Sequence, residues 1–457
     1  MSEILPFWSS KQFESYDGIA LATTNKKISY YDLNLMVQDY VDFLQNLDLK
    51  NQLAFLPMEM NIQSIVKYLA CLRASIVPFL MPSSTDKNLL QNLLKTYQPA
   101  LVFGLNSLED IHINNTNISM SRLPENLALL LSTSGSTGSS KLVKLSYENL
   151  YENAKSIKEY LKIQPHDIAH CSLPLSYSYG LSVLNTHLQS GGCVFLSDLT
   201  PFSKRYYDEL IEENITSISG VPFFYQMLNR TGFFEKDLPS VKVMTQAGGK
   251  LGDKLVQKFS DHANSHKIKL FVMYGQTEAT ARISYVPPHL LDQKIGSIGI
   301  PIPKGKLSLS DDGELIYYGP NVMLGYAENI HDLHKKNNTI NQLFTGDLAR
   351  VDKNGYYFIT GRIKRFLKLA GTRYGLDEIE TYVENKFNNS CIATGKDDKL
   401  TIVVLNLEAD SDSIISQLQD KFSINRHFIK IILVDDLVMT ANGKKNYAFY
   451  REYYNGS

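Results

Sequence analysis

The sequence predicts an α/β protein: a large N-terminal domain of parallel-type sheets with helices, a small β-rich subdomain, and a small α+β C-terminal domain. Three observations carry this expectation. Before Gly296, amphipathic helical patterns alternate with short apolar runs, the rhythm of parallel strands joined by crossover helices. After it, Gly299, Pro301, Pro303 and Gly305 crowd together and two hairpin signals follow, Asp311-Asp312-Gly313 and Asp352-Lys353-Asn354-Gly355. From Ile363 onward, strands and helices alternate in a unit long enough to hold its own core. The boundary is therefore placed at Arg362–Arg365, giving domains 1–363 and 364–457.

The elements follow in order. Tyr31–Leu47 aligns Leu33, Met36, Val37, Tyr40, Val41 and Leu44 on one face and predicts a helix. Gln52–Leu56 reads as a strand, Ile62–Arg73 as a second helix and Ile76–Leu80 as a buried strand. Similar apolar runs recur at Ala169–Cys171, Val194–Leu196, Ser217–Ser219, Val241–Met244 and Leu270–Met273. Lys306–Ser310 and Glu314–Tyr318 flank the first hairpin turn. In the last domain, helices are expected at Leu376–Lys386 and Ser411–Lys421, and strands at Leu400–Leu405 and Lys430–Val434.

Composition narrows the function. Of 457 residues, 44% are hydrophobic and 20% charged, ordinary globular usage that excludes wholesale disorder. Lys+Arg number 46 against 47 Asp+Glu, so there is no basic excess to mark a nucleic-acid binder. The four cysteines, Cys71, Cys171, Cys193 and Cys391, are far apart and form no CxxC pair, which predicts buried thiols rather than a zinc site or disulfide framework. Met1–Ser10 has no basic region followed by an apolar run, and the most apolar stretch, Ile65–Met81, is broken by Lys67, Arg73, Ser75 and Pro78. No secretory signal and no membrane span are expected, and the location expected is cytoplasmic.

Four motifs carry chemistry. The first is the apolar run from Leu127 that ends in Ser132-Thr133-Ser134-Gly135-Ser136-Thr137-Gly138-Ser139-Ser140-Lys141. A polyphosphate needs converging donors without obstruction; glycines let the backbone approach, hydroxyls donate, and a lysine adds charge. A helix capped by Ser146 should follow. The spacing is not that of a Walker loop, because two residues separate Gly135 from Gly138 and Leu142 follows Lys141. The same composition also suits a flexible Ser/Gly loop. The second motif, Tyr274-Gly275-Gln276-Thr277-Glu278, follows an apolar strand, where α/β sheets collect their ligands. Its Tyr can stack on a base, its Thr can bond a phosphate and its Glu can ligate magnesium. The third is Thr345-Gly346-Asp347 with Gly361-Arg362, whose acid and guanidinium suit a ribose and a phosphate. The fourth, Asn442-Gly443-Lys444, puts a lysine on a tight turn.

In this order and at these separations, the chain resembles the adenylate-forming superfamily of acyl- and aryl-CoA synthetases, firefly luciferase and peptide-synthetase adenylation domains. The resemblance runs from Ile28-Ser29-Tyr30-Tyr31-Asp32-Leu33 through Leu173–Leu181, Gly220-Val221-Pro222, Gly325-Tyr326 and Glu378-Ile379-Glu380 to Asn442-Gly443-Lys444. It departs at Ser140 and Leu142, where the family's phosphate loop has Pro and Gly, at Ala74-Ser75 in place of Ala-Gly, and at Lys364-Arg365 in place of an acidic pair. No departure removes a charged group from the nucleotide site.

The resemblance implies ATP-dependent activation of a carboxylic acid as acyl-AMP, with pyrophosphate released, then transfer to the phosphopantetheine thiol of CoA or a carrier protein. It implies ATP and Mg²⁺, with Thr133, Ser134, Gly135, Ser136, Thr137, Gly138 and Lys141 on the phosphates, Thr277 on the α-phosphate and Glu278 on the metal. Tyr274 would stack on adenine near Gly248 and Gly249, and Asp347 and Arg362 would hold the ribose. Lys444 would bridge the acid and the α-phosphate. The C-terminal domain would be mobile, pivoting at Lys364 and swinging Lys368 in for the thioester step. Tyr177, Tyr179, Gly180, Phe223, Gly248, Gly275 and Ala281 would line the acyl pocket. No acid lies in Leu173–Leu181 to hold a substrate ammonium, so a fatty or aryl acid is expected rather than an amino acid. A luciferase-like oxygenase and a nucleotide-binding pseudoenzyme share most of these residues and are the alternatives.

Overall fold

A computed structural model describes residues 5–104, 111–113, 122–133, 141–335, 341–405, 410–440 and 443–455. Two large sheets form the N-terminal body. In the nine-stranded sheet, Lys269–Tyr274, Val243–Gln246, Ser217–Gly220, Ile168–Cys171, Cys193–Leu196 and Ile19–Thr23 pair in parallel, in that spatial order. Short antiparallel strands close both edges. The seven-stranded sheet has a parallel centre, Leu127–Ser132, Val77–Pro82, Leu53–Met58 and Leu101–Phe103, again with antiparallel edges. Helices fill the space between: Tyr30–Gln45 buries Leu33, Val37, Val41 and Leu44, and Ile62–Arg73 is almost wholly buried. Val241–Met244, expected as a strand, is shifted two residues to Val243–Gln246.

The β-rich subdomain is a four-stranded antiparallel sheet of Lys306–Leu309, Glu314–Tyr318, Gln342–Val351 and Tyr357–Arg362. Both hairpins lie where the Gly-containing turns predict them. The residues after 365 build separate cores. Leu367 and Leu369 pack with Ile379, Val383, Ile402 and Ile414, while Tyr450 packs with Ile392 and Val403. Leu376–Phe387, Lys399–Leu405, Ser411–Phe422 and Ile429–Val434 stand at the expected places. All four cysteines are buried and free. No helix among the described residues is long and apolar enough to cross a membrane.

Candidate active site

The parallel strands of the nine-stranded sheet end together, and the loops after them gather the motif residues. Lys269–Tyr274 delivers Tyr274, whose hydroxyl donates to Asp347 Oδ2 at 2.5 Å. Asp347 lies on Gln342–Val351, opposite Arg362 in the ladder, and its Oδ1 accepts from Arg362 Nε at 2.9 Å. Gln276, to which sequence reasoning assigned no role, ties this group together. Its amide donates to Asp347 Oδ2 at 3.1 Å, to the Tyr274 hydroxyl at 3.1 Å and to the Thr345 carbonyl at 2.9 Å. Burial and the neighbouring Asp347 carboxylate push the Tyr274 hydroxyl well up. The result is a carboxylate held by three side chains, one of them a guanidinium.

The backbone after Tyr274 turns sharply. A Cβ on Gly275 would fall 1.7 Å from the Ala281 carbonyl oxygen, so only glycine admits the turn. Thr277 is buried, its hydroxyl 3.2 Å from that of Ser178 at the start of the helix Ser178–Ser190. Glu278 accepts from the Tyr326 hydroxyl at 2.8 Å, and the ammonium of Lys141 lies 3.5 Å from the Tyr326 ring centroid. Tyr326 reaches this place because Gly325–Ala327 pairs with Leu142–Ser146, which puts it opposite Val143. One tyrosine thus links the lysine of the phosphate loop to the expected metal ligand. Thr133 follows the strand Leu127–Ser132; Ser134, Gly135, Ser136, Thr137 and Gly138 lie outside the described residues. The helix Tyr147–Leu161 carries the expected Ser146 cap, completed by Asn149 into a capping box.

Lys444 comes from the C-terminal domain and reaches the same place. Its Nζ is 5.0 Å from the Tyr177 ring centroid. Gly248 lies at the contact with φ +86°, and a Cβ there would meet the Tyr177 hydroxyl at 2.8 Å, Val221 Cγ1 at 3.0 Å and Lys444 Cε at 3.5 Å. Burial and the charge of Arg362 push Lys444 down to about 8, with Glu278 opposing. Behind it, Lys445 pairs with Glu380 at 3.2 Å and Glu384 at 2.8 Å, and Tyr447 donates to Glu380 at 3.0 Å. Glu380 also pairs with Arg365 at 2.7 Å, and Arg365 further contacts Asp377 and the Ala393 carbonyl. Arg365 is therefore fastened inside the small domain rather than lying on a solvated basic loop. Lys364, just before it, is exposed.

The other expected pocket residues divide. Phe223 lies half-buried on Pro222–Arg230; it is Pro222, the residue before it, that borders Gly249, where a Cβ would meet Pro222 at 3.2 Å. Tyr179 is buried, donating to Thr245, and its ring meets that of Tyr177 at 6.3 Å. Gly180 packs on backbone, since a Cβ would fall 2.4 Å from the Pro174 carbonyl. Ala281 is buried in the turn under Gly275. Lys368 stands apart from all of these. It is exposed on Phe366–Leu369, where its backbone bonds Asp397 and Asp398.

Comparison with known proteins agrees with this geometry. A family model described as AMP-binding enzyme matches residues 114–327. A 2-succinylbenzoate–CoA ligase from Staphylococcus aureus is 26% identical over 96% of this chain and 98% of its own length. The o-succinylbenzoate CoA synthetase from Bacillus subtilis, solved with an acyl-adenylate intermediate, superposes with TM-score 0.78 at 18% identity, covering 97% of each chain. ATP-bound MatB from Rhodopseudomonas palustris superposes with TM-score 0.79 at 21% identity, covering 98% of each chain.

Proposed function

We propose that the chain is a member of the AMP-binding enzymes of the adenylate-forming superfamily, and that it is an acid–thiol ligase using ATP and Mg²⁺. A carboxylate oxygen attacks the α-phosphorus of ATP, the acyl–phosphate bond forms, and pyrophosphate leaves. A thiol then attacks the acyl carbon and AMP departs with the bonding pair. The observation that carries this reading is Lys444: a cation from the small domain, set against Tyr177 and Gly248 in the field of Glu278 and Arg362.

The first step brings an anion to a polyanion, so preorganised positive charge supplies the largest share of the rate. Lys444 bridges the attacking carboxylate and the α-phosphate, Thr277 donates to that phosphate, and Lys141 with Thr133 and the loop after it holds the outer phosphates. Asp347 accepts the ribose hydroxyls, and Gln276 and Tyr274 hold its orientation. Glu278, bonded by the same Tyr326 whose ring Lys141 faces, would offer magnesium one carboxylate. That fits magnesium, which keeps waters and phosphate oxygens as most of its ligands and, when bound, neutralises phosphate charge as a Lewis acid.

For the second step the small domain rotates about Lys364, removing Lys444 and bringing in Lys368. The acid is aromatic rather than a plain fatty chain, and the acceptor is CoA, in keeping with the names of the curated relatives. The test is pyrophosphate release from ATP with a panel of carboxylic acids, followed by thioester formation on adding CoA. Absence of acid-dependent pyrophosphate release across the panel would refute the reading.

A further inference from the structure

Tyr326 touches two groups of opposite charge. Its hydroxyl donates to Glu278 Oε1 at 2.8 Å, and its ring centroid lies 3.5 Å from Lys141 Nζ. The ammonium meets the ring and the carboxylate meets the hydroxyl, so two opposite charges are held by different parts of one neutral side chain.

The ladder puts the ring there. Gly325–Ala327 runs antiparallel to Leu142–Ser146, with Tyr326 opposite Val143 and Ala327 opposite Leu142. Lys141 lies two residues before Val143, and diagonal neighbours of this kind are within reach of a long side chain and an aromatic ring. Backbone bonds fix the frame. The Met323 N–H donates to the Glu278 carbonyl at 2.9 Å, and the Leu324 N–H donates to the Lys144 carbonyl at 2.9 Å. Asn321 donates to the Ala279 carbonyl at 2.7 Å, and Thr280 Oγ1 donates to the Asn321 carbonyl at 2.7 Å. The segment bearing Tyr326 is thus tied both to the turn that carries Glu278 and to the strand that follows Lys141.

On the adenylation reading, which this inference rests on and deepens, Lys141 serves the outer phosphates and Glu278 the magnesium. In the empty site their charges attract, and an ion pair between them would have to break before either could meet the nucleotide. We propose that Tyr326 is a positioning residue that keeps Lys141 and Glu278 from neutralising each other. The ring face attracts the ammonium through its quadrupole and leaves the charge intact. The hydroxyl engages Glu278 as a neutral donor. A quadrupole pulls on a cation less than a full negative charge in contact with it does, so a triphosphate draws Lys141 off the ring more readily than off a carboxylate. The site therefore stays charged and open before ATP arrives.

The test is a double-mutant cycle, read by calorimetric titration of the full chain with ATP in the absence of magnesium and acid, so that no turnover intervenes. Tyr326→Ala should weaken ATP binding about fivefold or more, the size of a partly exposed ion pair that ATP must then break. Glu278→Gln should repair most of that loss in the Tyr326→Ala background. In the wild-type background it relieves only the repulsion between Glu278 and the phosphates, so its gain there should be smaller. Tyr326→Phe keeps the ring and should bind ATP within about twofold of wild type. No loss in the alanine variant, equal gains from Glu278→Gln in both backgrounds, or a phenylalanine variant as weak as the alanine one overturns the proposal; a tyrosine that merely props the fold gives equal gains. Thermal melting reports whether each variant is folded, and if Tyr326→Ala is not, Tyr326→Leu, which also lacks the quadrupole but keeps more apolar bulk, takes its place in the same cycle. A wild type that binds no ATP would overturn the adenylation reading instead.

Discussion

Lys444 sets a measurable ceiling on pH. Its ammonium is pushed down to about 8, first by burial and then by Arg362. A lowered lysine value means that the charge is present below that pH and lost above it. At pH 7 about nine-tenths of the free enzyme carries the cation, and at pH 9 about one-tenth does, so kcat/KM for the acid should fall about tenfold between them. Bound ATP and acid add negative charge around Lys444 and hold its proton, so kcat should turn down at higher pH than kcat/KM. Lys444→Arg keeps the charge throughout and should flatten the profile up to pH 10. Lys444→Ala should lower pyrophosphate release about a hundredfold or more while leaving ATP binding nearly intact, because the interaction matures at the transition state. The assay is initial-rate pyrophosphate release between pH 6 and 10 at subsaturating acid. A wild-type kcat/KM flat through pH 9.5, or an alanine variant within tenfold of wild type, would refute the reasoning.

Glu278→Gln exchanges an anionic oxygen ligand for a neutral one and should raise the magnesium requirement of the first half-reaction; an unchanged magnesium titration would count against the role. Lys364→Pro fixes φ between two anchored arginines and should impair one half-reaction by about a hundredfold while sparing the other, read by comparing single-turnover pyrophosphate release with thioester formation from preformed acyl-adenylate. Equal losses, or none, would remove Lys364 as the pivot. Asp347→Asn retains the shape of the side chain but loses the charge that holds Arg362, and should raise KM for ATP more than tenfold with little change in melting temperature. A KM within twofold of wild type would detach Asp347 from the nucleotide.

Periodicity made the regular elements legible: Ile62–Arg73 has the predicted ends, and both hairpins lie on their glycine turns. The edge of the nine-stranded sheet was less so, because Ile19–Thr23 pairs with Cys193–Leu196, whose apolar pattern lies far along the chain. Within the site, Tyr274–Glu278 stood out as a motif, yet the work of Gln276 depends on Thr345 and Asp347, brought near only by the subdomain. Tyr326 stands over Glu278 and Lys141 through strand pairing, which local pattern does not encode. Arg365 read as one of several loop cations because its acidic partners, Asp377 and Glu380, are spread along the following helix.

The two arginines flanking Lys364 have a kinetic consequence. Arg362 is fastened to Asp347 on one body and Arg365 to Glu380 on the other, so only Ile363 and Lys364 remain between the anchors. Glu380 also fastens Lys445, and Leu367 and Leu369 bind the strand bearing Lys368 into the same core. If the small domain turns about Lys364 as proposed, Lys444 and Lys368 would travel together, and occupation of the centre by one would exclude the other. On that reading the two half-reactions would run in turn, so with pyrophosphate released before the thiol reacts, double-reciprocal plots of ATP against CoA should be parallel rather than intersecting.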